Sequence, residues 1–316
     1  MLVTLALLTA PAVAVMGSEE DSDHSAVVAL AAEIDGVTYT GCTGTVIAPR
    51  LVLTAAHCGN DITLEFVAAV GGAYFGTDVA APEAVIAIQE IRRHPDYTDT
   101  RTGDLYDDGT ATDDVTVLVL AEDAPVRPIP LHDAALDESH LGQELELVGY
   151  GKTAHDLEDE GTRRSAALFV DDLVGQHVVS DDDLNPTGAN ACWGDMGAPL
   201  LAAGPDGQPT QWAITSWTDA HCYRETWSTR VDEVLPWVLD QAEAVAGTRD
   251  LCELGGLYGD GVCDAACPTV DADCDSGAPT VDADGEDERG CASAGASPGI
   301  LGLSLGLVGL LIRRRD

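Results

Sequence analysis

The chain has 316 residues, 45% of them apolar, and a formal net charge of −40 at pH 7. That length holds one large domain or two smaller ones around a sizeable core. The acidity argues against nucleic acid or anionic headgroups as partners, and nine cysteines beside only 15 basic residues point to export into an oxidising compartment.

Residues 1–14 (MLVTLALLTAPAVA) are an apolar run ending in Ala12-Val13-Ala14, the small-x-small pattern of a signal-peptide cleavage site. The basic residues that usually open such a peptide are missing from it. Residues 15–246 then read as short alternating strands, such as 144–148 and 211–217, split by Gly, Pro and Asp. A final helix opens at Val234-Leu235-Pro236-Trp237.

Within that stretch several segments follow one another in a fixed order. Gly41-Cys42-Thr43-Gly44 leads to Leu53-Thr54-Ala55-Ala56-His57-Cys58. His94-Pro95-Asp96-Tyr97 precedes Asp113-Asp114-Val115-Thr116-Val117-Leu118. Pro128-Ile129-Pro130-Leu131 and Val148-Gly149-Tyr150-Gly151 follow. Cys192, Gly194-Asp195-Met196-Gly197-Ala198-Pro199, Thr215-Ser216-Trp217 and Cys222 complete the series. Together these segments resemble the trypsin/chymotrypsin family of serine proteases, across nearly three quarters of the chain.

The resemblance implies an all-β fold of two antiparallel Greek-key barrels with a C-terminal helix and a site in the cleft between them. It implies that His57 is the base and that Asp114 orients it. Asp114 is preferred to Asp113 because it directly precedes the apolar strand. The backbone N–H groups of Gly194 and Met196 are the implied oxyanion donors. Cys42 pairs with Cys58, and Cys192 with Cys222 beside the specificity pocket. Spacing from Met196 puts Asn190 at the pocket floor and Thr218 and Thr226 on its walls. Such walls suit Ala- or Val-sized groups. Ser216 lies on the strand that holds a ligand backbone, and Trp193 is placed to cover the opening. Cleavage after Ala14 exposes Val15, whose ammonium, by the family pattern, pairs with Asp195.

Met196 stands where the family has its nucleophilic serine. A serine hydroxyl passes its proton to histidine as its oxygen attacks. A thioether has no such proton, so acyl-enzyme proteolysis is not expected. The chain therefore reads as a pseudoprotease that binds a protein or peptide. The alternative is a serine-type endopeptidase with residual or unconventional activity and small-side-chain specificity. Ala198 replaces a second family glycine and would strain the turn at positive φ.

Beyond the barrels, Cys252, Cys263, Cys267 and Cys274 mark a small acidic module over 247–275. It resembles Lin-12/Notch-type repeats, which bind calcium, but has too few cysteines for a full one. Two disulfides of open pairing are expected, with calcium as a possible ion and no other metal or cofactor. The remaining histidines, His24 and His132 among them, show no metal spacing and read as surface or packing residues. Residues 276–290 form an acidic linker. Cys291, the uncharged stretch 292–312 and the terminal arginines resemble C-terminal sorting signals of the MYXO-CTERM type. About 20 such residues span a bilayer, with the arginines inside. The expectation is a secreted monomer held at the bacterial outer surface or membrane by this tail and processed at Cys291.

Overall fold

A computed structural model of the chain describes residues 18–58, 64–101, 111–181, 188–204, 206–219 and 221–277. The leader 1–14, Val15, Cys291 and the whole tail from 278 lie outside the described residues. Among the described residues, no helix is long and apolar enough to cross a membrane.

The first strands are β1 (Glu19–Glu20), β2 (Val27–Ile34), β3 (Val37–Ala48), β4 (Leu51–Thr54), β5 (Gly71–Phe75), β6 (Ala84–Ile86), β7 (Ile88–Arg93), β8 (Thr98–Asp99), β9 (Ala111–Thr112) and β10 (Thr116–Leu120). The rest are β11 (Glu144–Gly149), β12 (Arg164–Phe169), β13 (Asp172–Val174), β14 (His177–Asp181), β15 (Pro199–Ala203), β16 (Pro209–Thr218) and β17 (Glu225–Arg230). Among the described residues the α-helices are α1 (Leu64–Val70), α2 (Val231–Ala246) and α3 (Leu251–Gly255).

The strands make two large sheets. One runs β6-β5-β2-β3-β4-β10-β7, the other β1-β12-β11-β15-β16-β17-β14-β13. Their strand pairs are antiparallel. Local chemistry sets the hairpins. Asp35 (φ 53°) and Gly36 (φ 80°) form the two-residue turn between Ile34 and Val37, the left-handed pair that matches strand twist. Gly175 (φ 58°) begins the equivalent turn between β13 and β14.

The central strands are not half-buried alternations. Every residue of β4 (LVLT) and β10 (TVLVL) is buried, and so are the first six of β2 (VVALAA). Curled sheets cover these strands on both faces, so they read as continuous apolar runs. Each sheet encloses its own core. Leu30, Leu53 and Leu118 lie in the first, Leu145, Leu168 and Leu200 in the second. The two-barrel, mostly β architecture read from the sequence is therefore present.

Helix α2 adds Val231, Val234, Val238 and Ala242 to the first core, one stripe of a helix face. It ends at Gly247, left-handed at φ 82°. The segment after it closes two disulfides, Cys252–Cys267 and Cys263–Cys274. Arg127 clamps this segment to the first sheet's flank. It donates to both carboxylate oxygens of Asp264, whose side chain is fully buried, and to Asp260 at 3.1 Å.

Candidate active site

The site is built from ends of strands and the loops that leave them. His57 lies three residues after the end of β4, and the Cys42–Cys58 disulfide ties its loop to β3. Asp114 precedes β10, which pairs with β4 in a register that sets Thr116 opposite Thr54. That register brings the two side chains together. His57 Nδ1 lies 2.7 Å from Asp114 Oδ2. A carboxylate only accepts, so Nδ1 carries the proton of this bond. The His57 backbone N–H donates to Asp114 Oδ1 at 2.9 Å, and the Ser216 hydroxyl donates to Oδ2. Asp113 does not compete. It sits at φ 51° and exchanges hydrogen bonds with the Gln176 side chain.

Asp114 is completely buried. Burial alone would raise its pKa. The charge of His57 and the bonds from His57 and Ser216 outweigh it and lower the carboxyl to about 2. Asp114 is therefore an ionised carboxylate at neutral pH and holds the His57 ring in one orientation.

The loop 194–199 crosses against this pair. Thr43 N donates to Met196 O at 2.9 Å, Thr43 Oγ1 to Gly194 O at 2.8 Å, and Gly197 N to Thr215 O at 2.8 Å. Gly194 (φ 100°) and Gly197 (φ 85°) supply the left-handed turns. A Cβ on Gly197 would lie 2.3 Å from Thr43 O and 2.1 Å from Thr54 Oγ1. Ala198 is not at positive φ. It is buried in the second core, so the strain expected of it does not arise. Met196 is half-buried and its side chain packs on the first core. Among the described residues, neither the Gly194 nor the Met196 N–H is hydrogen-bonded.

Asp195 is fully buried behind the loop. Gly151 N donates to its Oδ1 at 2.7 Å and Cys192 N to its Oδ2 at 3.0 Å. The glycines flanking Tyr150 now have a reason. A Cβ on Gly149 or Gly151 would fall within 2.1 Å or 2.4 Å of this carboxyl. Among the described residues no cation bonds it, and burial pushes its pKa up to about 7 against those two backbone bonds. Val15, its expected partner, lies outside the described residues.

The residues that the spacing assigns to a pocket lie near one another. Cys192 and Cys222 are bonded. Asn190 and Thr226 are buried and hydrogen-bonded to each other, and Thr218 pairs with Thr226 across β16 and β17. Trp193 is 43% exposed. Sequence reading missed the Ser216 hydroxyl on Asp114, and it missed Arg101. That guanidinium is held by Asp99 at 2.8 and 2.9 Å and lies 5.9 Å from the Trp217 ring centroid. No sequence spacing signals either contact.

Two groups bear on metals. In the Cys-rich segment Arg127 takes Asp264, while Asp271 accepts the N–H groups of Gly259, Asp264 and Asp273. Its acids are thus spent on protein donors, a poor fit to a calcium cage. His24, expected as a surface or packing residue without metal spacing, lies 2.8 Å from Asp21 and 3.7 Å from Glu146, a grouping with ligand-type atoms. Asp21 is also held by the buried Arg163 at 2.7 Å. Burial opposes charging of His24, but Asp21 and Glu146 together raise its pKa. The group is thus a closed ion-pair network.

The trypsin family model matches residues 15–238. The chain belongs to the trypsin family. It is 26% identical over 236 residues to the CLIP domain-containing serine protease HP8 of Bombyx mori, covering 64% of this chain and 62% of that protein. A trypsin of Simulium vittatum is 29% identical over 182 residues, 52% of this chain and 66% of its own length. A trypsin of Saccharopolyspora erythraea is 28% identical over 205 residues, 59% of this chain and 81% of its own. The chain thus spans just under two thirds of the first two relatives. Among solved structures, neuropsin, a serine protease expressed in the limbic system of mouse brain, superposes with a TM-score of 0.54 at 20% identity. That match covers 71% of this chain and 98% of neuropsin, and shows the shared fold alone.

Proposed function

We propose that this trypsin-family chain is a pseudoprotease, exported and attached at the cell surface through its C-terminal segment, whose cleft binds a protein or peptide without cleaving it. The observation that carries the reading is Met196 in the loop beside an otherwise complete His57–Asp114–Ser216 network. Every part that orients a proton acceptor is in place, and the residue that should yield the proton has none. The mature start at Val15, the pairing of its ammonium with Asp195 and processing at Cys291 belong to this proposal.

The test compares peptide-ester hydrolysis by the native chain, Met196→Ser and Met196→Ser/His57→Ala. The expected result is an inert native chain, a Met196→Ser rate at least about 10³-fold higher, and its loss in the double variant. Hydrolysis by the native chain that disappears in His57→Ala would instead establish the second reading, an endopeptidase using a water activated by His57. The oriented dyad is what favours that second reading.

A further inference from the structure

We infer that a pocket between the first barrel and the Cys-rich segment docks a basic partner protein, through a Val- or Leu-sized side chain flanked by Lys or Arg. The pocket shares no residue with the site around His57, so the inference does not rest on the cleft-binding reading.

The pocket is a cavity of about 80 Å³. Its floor is Ile47 of β3 and Leu131, both buried. Helix α2 supplies one wall with Leu235 and Leu239, one turn apart on a stripe beside the one sunk in the first core. The other wall is Leu251, Leu257, Ala266 and Pro268, from the segment that follows α2. That wall is fixed in place. Cys252 also lines the pocket and is bonded to Cys267, which sits between Ala266 and Pro268. Arg127 holds Asp264 of the same segment. A ligand finds the pocket already formed, which spares ordering entropy. The trypsin family model ends at residue 238, so this wall is made by a part of the chain outside that match.

None of the floor and wall side chains offers a hydrogen bond. Water is therefore a poor occupant, since a buried water needs about 2–4 polar partners. An apolar cavity of about 150 Å³ takes a benzene ring. Half that volume suits a branched aliphatic group and is too small for an aromatic one.

The mouth decides what carries that group. Asp133 and Arg249 line the pocket and are exposed. The Arg249 guanidinium is already taken: it bonds Asp240, with Glu243 at 3.9 Å, and both acids are more than half exposed. Asp133 makes no ion pair among the described residues. Acids thus outnumber bases around the opening, on a chain whose net charge is −40. Lys or Arg beside the anchor complements this rim, and an acidic neighbour is repelled. A free hydrocarbon would fill the pocket but leave the acidic mouth without a partner. Val270, two residues past Pro268, is 80% exposed and extends the apolar surface of this segment outward. An aliphatic anchor in a formed pocket with a polar rim is the arrangement of a protein-docking site.

The experiment titrates acetyl-Gly-Lys-Leu-Arg-Gly-amide into the full chain, into Ala266→Phe, which fills the pocket, and into Asp133→Lys, which reverses charge at its mouth. Binding is read by calorimetry at low and high salt, and circular dichroism verifies that both variants are folded. Alanine or phenylalanine in place of the peptide's leucine should weaken binding about 10-fold or more, and so should Ala266→Phe. Glutamates in place of its Lys and Arg, Asp133→Lys, or high salt should each weaken it about 3-fold or more. Equal binding of the leucine, alanine and phenylalanine peptides, or binding unchanged in Ala266→Phe, overturns this inference and leaves the cleft-binding reading standing. No binding by the full chain overturns it too. Self-association that Ala266→Phe abolishes would assign the pocket to a second copy of the chain. Peptide binding that appears only in Leu310→Asp/Leu311→Asp would assign it to the chain's own tail. Either result overturns the inference.

Discussion

Replacing Asp195 by Asn should flatten the pH dependence of stability. The carboxyl is fully buried and its pKa stands at about 7 instead of 3.8. Between those two values the folded chain keeps the proton that the unfolded chain has already released. The folded state binds more protons there, so stability falls as pH rises. A shift of about three units corresponds to about 4 kcal/mol, spent between pH 4 and pH 7 and constant above it. No solvent screens this group, so the figure needs no discount for exposure. Asn carries no charge but offers one acceptor oxygen where Asp195 offers two, to Gly151 N and Cys192 N. Losing one of those bonds costs about 1–2 kcal/mol. The variant should thus be more stable than the native chain by about 2 kcal/mol at pH 8, and less stable at pH 4.5. Urea denaturation of the full chain and of Asp195→Asn at pH 4.5, 6 and 8 measures the difference. A stability gap that stays constant across the three pH values refutes the reasoning. A chain beginning at Val15 adds a second arm, since an ammonium seated on Asp195 would abolish the native slope as well.

Gly197→Ala should cost at least about 3 kcal/mol, from positive φ together with a Cβ 2.3 Å from Thr43 O; an unchanged thermal midpoint would show that the loop can relax. Arg127→Ala leaves the Asp264 carboxyl buried without its cation and should destabilise the chain by about 2–3 kcal/mol, a figure reduced because Arg127 is itself partly exposed. Calcium or a chelator should move the midpoint of the native chain by less than one degree, because Arg127 and backbone N–H groups already hold those acids. Asp21 is lowered to about 2 by His24 and Arg163 against the opposing effect of burial. The stability it contributes is therefore full above pH 4 and lost as pH falls towards 2, a loss that Asp21→Asn should remove from the acid limb of a pH titration.

Chemistry that lives in short contiguous segments was legible in the sequence. Thr54-Ala55-Ala56-His57-Cys58 ends in a disulfide cysteine and Gly194-Asp195-Met196-Gly197 carries its own turn glycines, so both segments could be recognised without the fold. The burial of β4 and β10 on both faces was harder to read, since a continuous apolar run fits a strand or a helix until a curled sheet encloses it. Contacts between distant segments left no mark. The Ser216 hydroxyl reaches Asp114 across 102 positions, and Arg127 reaches Asp264 across 137. A serine or an arginine at such a place looks in sequence like any other. The glycines around Tyr150 were visible as a landmark, but their cause is the carboxyl of Asp195, which only the folded chain brings beside them.

The intact dyad is weak testimony for catalysis, because it also satisfies a buried charge. Asp114 is wholly buried, and a buried carboxylate without its partner costs several kcal/mol. His57 and Ser216 are that partner shell. Substituting either would remove one of the bonds that hold that charge and leave the others. Asp195, Gly194 and Gly197 are bound in the same way, by burial or by backbone geometry. Residue 196 differs. Its carbonyl receives Thr43 N, a bond any residue can make, and its side chain only rests against the first core. A methionine there offers apolar contact where a serine would offer a hydroxyl, so position 196 can change while the architecture around it stands. Selection for binding alone would keep the dyad, the glycines and the disulfides, and would leave position 196 free to change.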